Sequence, residues 1–344
     1  MRNTRHLVGW LFLVLALLLP AHASLAQEPP PAKRVYMVLW RGETEMERGF
    51  RDYLEEQGLA VDYTVRNLDQ NLAGLPDLVA EIKRERPDLV YSWGTSVTQN
   101  LVGTLGSTDP DRHVTDIPTV FIFVTDPVAA GIVEDLDRPG RPLTGTSHMA
   151  PLDSQLNAME AVLPLKKLGN IFNAAEANSR LYAEKLAQVA EGHGIQVLNR
   201  PIPQNEQGQP MADAIPALLD TMVADGVDCL YIGPDSFLGR NAATFTQAAL
   251  ERGLRTFAAT EQPLRGGKAL MGLVSSYYNL GRFTAAKAKR ILADGTPPGE
   301  IPVETLRRFT FLVNMDVARQ LDTYPPMSVL RFTEALNAPT TTAR

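Results

Sequence analysis

Short unbroken apolar runs alternate along this chain with stretches whose apolar positions recur at helical spacing. Residues 35–40 (VYMVLW) form the first run, the look of a strand buried on both faces. A helix is expected over 44–57, closed by Gly58 at the position where a helix ends in a left-handed residue. Residues 61–65 alternate like a strand, 75–86 read as a helix stopped by Pro87, and 89–93 are the third strand. A helix over 96–105 and a strand over 119–124 follow. Strand, helix, strand at this spacing predicts right-handed crossovers and a parallel sheet.

After Pro151 the same series starts again. Helices are expected over 154–162, 179–191, 212–224, 241–252 and 280–293. Strands are expected over 167–172, 195–198, 228–232, 255–258, 269–274 and 309–313, with a short helix from Asp316. There is no close sequence repeat, but there is a repeat of architecture. Each series is too small to be the whole protein, so two doubly wound α/β lobes are expected, with natural crossings near 144–148 and 274–278.

The first 26 residues have a different character. Arg2 and Arg5 precede an apolar run over 7–19, Pro20 breaks it, and Ala21, Ala23 and Ala26 supply small residues. That is the layout of a cleavable secretory leader, and the apolar run is shorter than a membrane-spanning helix needs. Cleavage after Ala23 or Ala26 is expected, leaving about 318 residues outside the cytoplasm in the latter case. EPPPA (28–32) is a stiff spacer.

Composition narrows the function classes. Hydrophobic residues make up 44% of the chain, enough for an ordinary buried core. Removing the leader leaves 31 basic against 39 acidic side chains, with the basic ones scattered. Nothing forms a nucleic-acid stripe or a polybasic membrane patch. Cys229, the one cysteine, lies in an apolar run and reads as a small buried hydrophobe. His6 and His22 leave with the leader. His113, His148 and His193 are not paired at metal-ligand spacing. Neither a nucleophile elbow nor a phosphate-binding glycine loop occurs. No catalytic residue, metal or cofactor is expected.

The informative residues lie just past the carboxyl ends of strands, where open α/β sheets bind ligands. At Tyr91-Ser-Trp-Gly-Thr-Ser96 a strand turns into a helix. The free N–H groups and the hydroxyls of Thr95 and Ser96 suit an anion, and serve equally as an ordinary helix start. At Phe121-Ile-Phe-Val-Thr-Asp-Pro127, Thr125 and Asp126 end a buried strand. The Asp126 carboxylate suits a ligand ammonium or hydroxyl, and equally a cap for its own loop. Asn173, the segment Ile232-Gly-Pro-Asp-Ser236 and the segment Ala259-Thr-Glu261 occupy equivalent ends. Trp40, Trp93, Phe237, Tyr277 and Tyr278 collect at the same ends, as stacking faces for a ligand or as edges of the core.

Four segments give the chain a family resemblance. They are Met46-Glu-Arg-Gly-Phe-Arg-Asp-Tyr-Leu-Glu-Glu-Gln-Gly58; Phe123-Val-Thr-Asp-Pro-Val-Ala-Ala-Gly131 with Leu143-Thr-Gly-Thr-Ser147; Tyr277-Tyr-Asn-Leu-Gly-Arg-Phe-Thr-Ala-Ala286 with Ile301-Pro-Val303; and Asn314-Met-Asp-Val-Ala318. In these the chain resembles the substrate-binding proteins of bacterial ABC transporters, in the tryptophan and aromatic-amino-acid-binding group, with a type I periplasmic binding fold. The resemblance implies two lobes around a cleft, a three-strand hinge and closure on a small solute. It places Trp93, Thr95, Thr125, Asp126, Asn173, Asp235 and Glu261 at the cleft, beside Ser96 and Tyr277 from the strand-end reading. The loop Trp40-Arg-Gly-Glu-Thr-Glu45 and the pair His148-Met149 depart from the family pattern near that cleft.

The expected division is then a leader at 1–26, one lobe from 33–147 plus 275–305, the other from 148–274 plus 306–334, and a flexible tail at 335–344. The expected function is capture of a small polar or aromatic, amino-acid-like solute in the periplasm by a monomer. ABC permease subunits are the expected partners, with no nucleic acid and no membrane insertion of the mature chain. A ligand sensor for a receptor kinase and a secreted α/β enzyme using Asp126 and Glu261 as acid and base are the alternatives.

Overall fold

A computed structural model of the protein describes residues 31–337; the expected leader lies outside them. The first series is β1 (Lys33–Leu39), α1 (Glu45–Glu56), β2 (Val61–Asn67), α2 (Leu75–Glu85), β3 (Leu89–Trp93), α3 (Thr95–Val102), β4 (Thr119–Val124) and β5 (Leu143–Ser147). Its strands form one sheet in the order β2-β1-β3-β4-β5, parallel throughout.

The second series is α4 (Leu152–Glu160), β6 (Lys167–Phe172), α5 (Ala177–Gly192), β7 (Gln196–Pro201), α6 (Ile215–Ala224), β8 (Cys229–Ile232), α7 (Ser236–Arg240), α8 (Ala242–Glu251), β9 (Thr256–Ala258), α9 (Gln262–Arg265) and β10 (Met271–Val274). Next come α10 (Tyr277–Leu292), β11 (Thr310–Asn314), α11 (Met315–Gln320), α12 (Met327–Leu330) and β12 (Thr333–Leu336). The second sheet runs β12-β11-β10-β9-β8-β6-β7. The molecule is therefore two α/β lobes.

Alternation along the strands sorts the core. Val35, Met37 and Leu39 face α1 and α10, packing with Phe50, Leu54 and Leu280. Tyr36 and Val38 face the other way, packing with Val79, Ile82, Val97 and Leu101 of α2 and α3. In the second lobe one layer gathers around Leu156, Tyr182 and Leu186, the other around Leu219, Met222 and Phe245. Apolar material on both faces is what makes these strands read as continuous runs.

Helices α1 and α10 are in backbone contact. A Cβ on Gly49 would lie 2.2 Å from the Tyr278 carbonyl oxygen, and one on Gly281 would lie 2.0 Å from that of Met46. The glycines inside MERGF and YYNLGRF thus let the two helices cross at this distance. The start of α1 is fixed by a capping box, in which the Thr44 hydroxyl accepts from the Met46 N–H and Glu47 Oε2 accepts from the Thr44 N–H.

Three expectations change. The crossing expected near 144–148 begins inside the edge strand β5, which holds all but its last residue. The second sheet is not wholly parallel, because β10 and β11 pair antiparallel; the chain leaves this lobe after β10 and re-enters from the other one, so β11 must run back. The tail does not start at 335, since Ala335 and Leu336 pair with Val313 and Asn314 in β12. Residues 338–344 lie outside the described residues.

Candidate functional site

Three segments connect the two sheets, and they run together. The first follows β5, the second is Ser275-Ser276 between β10 and α10, and the third leads from Glu304 to β11. The Ser275 hydroxyl donates to the His148 carbonyl at 2.7 Å, joining the first two. The Ser147 N–H donates to the Glu304 carbonyl at 3.0 Å, joining the first and third. The cleft lies beside them, between the carboxyl ends of the strands of both lobes.

At its centre is a cavity of about 30 Å³ lined by Arg41, Trp93, Thr95, Phe123, Thr125 and Tyr277 on one side. Asp235, Ser236, Gly239 and Thr260 line the other. A side cavity of about 110 Å³ continues past Thr95 and Thr125 to Asp126 and Lys185. A mouth of about 450 Å³ opens past Ser236 to Trp40, Ser96, Asn173, Glu176 and Phe237.

The wall of the first lobe is aromatic and cationic. Arg41, two residues past the end of β1, holds its guanidinium carbon 5.0 Å from the Trp93 ring centroid, a cation–π distance. It donates to the Tyr277 hydroxyl at 3.5 Å. Among the described residues no carboxylate lies within ion-pair distance of it. Helix α3 starts on the same wall, and its Gly94 cap offers no side-chain acceptor to the first N–H groups, which are therefore directed at the cleft with the positive end of the helix dipole.

Behind these groups four rings pack together. Phe123 lies against Trp93 with centroids 5.0 Å apart and planes 28° apart. His148 stacks on it at 3.7 Å and 16°, and Tyr277 meets it edge-on at 5.2 Å. The buried Trp93 Nε1 and both His148 ring nitrogens have no hydrogen-bond partner among the described residues. Burial pushes the His148 imidazole down to about 3, so the ring is neutral and behaves as one more aromatic face.

The wall of the second lobe is built differently, because its carboxylates are satisfied by neighbours in the same lobe, although Asn178 Oδ1 on the side cavity has no partner among the described residues. Asp235 caps α7 by accepting from the Leu238 N–H at 2.8 Å. Its other oxygen accepts from the Asn173 N–H at 2.6 Å and the Ser179 hydroxyl at 2.7 Å. Glu176 accepts from the N–H and hydroxyl of Ser236 at 2.9 and 2.7 Å. Burial holds both carboxylates above their ordinary range, and the nearby Asp235 charge raises Glu176 further.

The structure thus brings Trp93, Thr95, Thr125, Asp235 and Tyr277 to the central cavity, and Ser96 and Asn173 to the mouth. It does not bring Asp126 or Glu261 there. Asp126 lines the side cavity, where it caps its loop through the Ala129 N–H at 3.1 Å and pairs with Lys185 of the opposite lobe at 3.3 Å. Glu261 accepts from the Tyr277 N–H at 2.8 Å and from Arg265 at 3.0 Å, tying the second crossing to the second lobe. Of the aromatics, Trp40 and Phe237 stand at the mouth, whereas Tyr278 turns to α1 and donates to Asp52 at 3.0 Å.

Arg41, Phe123 and Thr260 were not singled out from the sequence. Arg41 follows the same strand-end rule that picked out Thr95, and the rule applied to β1 would have found it. Phe123 is hidden by a bulge that no alternation reveals.

The comparisons agree with this architecture. The family model described as "ABC transporter substrate binding protein" matches residues 37–335. A tyrosine-binding protein of Clostridioides difficile is 26% identical over 282 residues, covering 80% of this chain and 76% of that one. A conserved domain protein of Vibrio cholerae superposes with a TM-score of 0.77 at 24% identity, covering 89% of this chain and 99% of the other. An ABC domain from Streptococcus pneumoniae in complex with L-Trp gives 0.73 at 21%, covering 88% and 99%. No helix among the described residues is long and apolar enough to cross a membrane. With the two lobes and their parallel-dominated sheets this is the type I periplasmic binding fold, and the chain belongs to the ABC transporter substrate-binding protein family, whose members bind solutes rather than transform them.

Proposed function

We propose that this protein captures a small carboxylate-bearing solute of the amino-acid class in the cleft between its lobes and delivers it to an ABC permease from the periplasm. The observation that carries the reading is Arg41. A guanidinium with no carboxylate partner among the described residues, placed over Trp93 and beside the uncapped start of α3, is a ready anion anchor. The name of the Clostridioides difficile relative supports the amino-acid class. The hydroxyls of Thr95, Thr125, Ser236 and Thr260 are at hand around the same cavity for the rest of the solute.

Closure is a hinge motion about the three connecting segments, of the kind two-lobed binding proteins use. The lobes divide as 33–147 with 275–305 and 148–274 with 306–336, the last strand included. The leader at 1–26 supplies the address, and the mature monomer meets the permease through both lobes. Asp126 contributes by closing the side cavity against Lys185, since that lysine already supplies its cation.

The test is a titration of the emptied protein with the solute that copurifies with it. Arg41→Ala should bind at least ~30-fold more weakly, because truncating one partner of a buried charged pair costs ~2–5 kcal/mol. Equal affinity in a folded variant removes the anchor from the account.

A further inference from the structure

Strand β4 does not alternate to its end. Phe121 pairs with Gly145 and Val124 with Ser147, so three steps on β4 match two on β5. One residue is extra, which is a β-bulge. Its effect is visible in the core: Phe121 and Val124 pack on the α2 and α3 side, Val120 and Ile122 on the α1 and α10 side. Phe123 is the surplus residue. Its φ is +62°, a left-handed backbone that bulky residues rarely adopt and that persists only where the surroundings enforce it.

The surroundings are three aromatic rings from three separate parts of the chain. Trp93 ends β3, His148 begins the first crossing and Tyr277 opens α10. The Trp93 and His148 planes lie 28° and 16° from that of Phe123, both in stacking contact with it, and Tyr277 meets it edge-on. This is a slot one ring thick at the head of the ligand cavity, the arrangement that recognises a flat aromatic group. The chain fills it with its own side chain. What remains beside it is the cavity of about 30 Å³, smaller than the side cavity of about 110 Å³ and the mouth of about 450 Å³.

We propose that Phe123 sets the specificity of this cleft: it occupies the aromatic slot between Trp93 and His148 and thereby excludes solutes with an aryl side chain, leaving short carboxylates as ligands. This rests on the reading of the cleft as a carboxylate site and narrows its substrate class.

The probe is L-tryptophan, titrated calorimetrically into wild-type protein, Phe123→Gly, Phe123→Ala and Phe123→Leu. Glycine accepts the left-handed backbone without strain, so Phe123→Gly should fold even if Phe123→Ala does not; thermal melts check both. The expected result is at least ~100-fold tighter L-tryptophan binding by Phe123→Gly than by the wild type, with little gain in Phe123→Leu, which still fills the slot. Tight L-tryptophan binding by the wild type, or no gain in a folded Phe123→Gly, overturns the proposal. The double variant Phe123→Gly with Arg41→Ala separates the two readings. If the gain survives without Arg41, the slot is right and the carboxylate anchor is wrong. If wild-type L-tryptophan binding is tight and depends on Arg41, the anchor is right and the slot assignment is wrong.

Discussion

The two walls of the cleft are made of the same kinds of strand end, yet they hold their charged groups in opposite states. On the second lobe, Asp235 receives three hydrogen bonds and Glu176 two, all from neighbours in that lobe. On the first lobe, among the described residues, Arg41 has a phenol and an indole face and no carboxylate, α3 begins without a side-chain cap, and Trp93 Nε1 has no partner. An unpaired cation beside an uncapped helix start is costly to leave empty, and on the proposed reading it makes the first lobe the recognising wall and the second the closing one.

The largest effect should fall on Arg41, as binding. Its counterpart on the other wall is Asp235→Ala, which should act on stability instead. It strands the N–H groups of Asn173 and Leu238 and the Ser179 hydroxyl and removes a helix cap, a loss of about 3 kcal/mol. Urea denaturation should show that loss, while the affinity of the folded protein changes less than about threefold. A large affinity loss with unchanged stability would erase the distinction between the walls.

A smaller effect concerns His148. Its imidazole is held well below its ordinary 6.5, down to about 3, by burial. Between those values the folded chain binds one proton fewer than the unfolded chain, so the contribution is full above pH 6.5 and is lost as pH falls towards 3. From pH 6.5 to pH 5 the loss is about 2 kcal/mol. His148→Phe keeps a ring on Phe123 and should flatten that part of the pH–stability curve. An identical curve would mean that the histidine opens to water.

The smallest effect is expected at Asp126. Its ion pair with Lys185 is partly exposed, with side-chain accessibilities of 37% and 56%, and such pairs contribute ~1 kcal/mol or less. Asp126→Ala should therefore weaken solute binding by less than about fivefold in a titration. Near-abolition of binding would restore the direct ammonium contact that the strand-end position of Asp126 implies.

The lobes were legible because buried parallel strands leave unbroken apolar runs; 89–93, 119–124 and 167–172 coincide with β3, β4 and β6. Strand β5 was not, since Leu-Thr-Gly-Thr-Ser carries too few apolar residues to mark an edge strand, and α7 and α9 are too short for periodicity to register. At the cleft, Trp93, Thr95 and Thr125 followed from the rule that ligands meet the carboxyl ends of strands. The states of Asp235 and Glu261 did not follow, because a sequence shows where a carboxylate stands and not how many donors already surround it. Nothing in the sequence sets Phe123 apart from the rest of its strand, since a bulge is a property of the pairing with β5 and leaves no mark on β4 alone.

The account is tested most directly by identifying the solute that the protein carries. Wild-type protein and Arg41→Ala, purified in parallel, are denatured and the released small molecules are analysed by mass spectrometry. The prediction is one dominant solute at about one per chain in the wild type, bearing a carboxylate and no aryl group, and its loss from the Arg41→Ala sample. A solute without a carboxylate, or the same solute retained equally by both proteins, would contradict it.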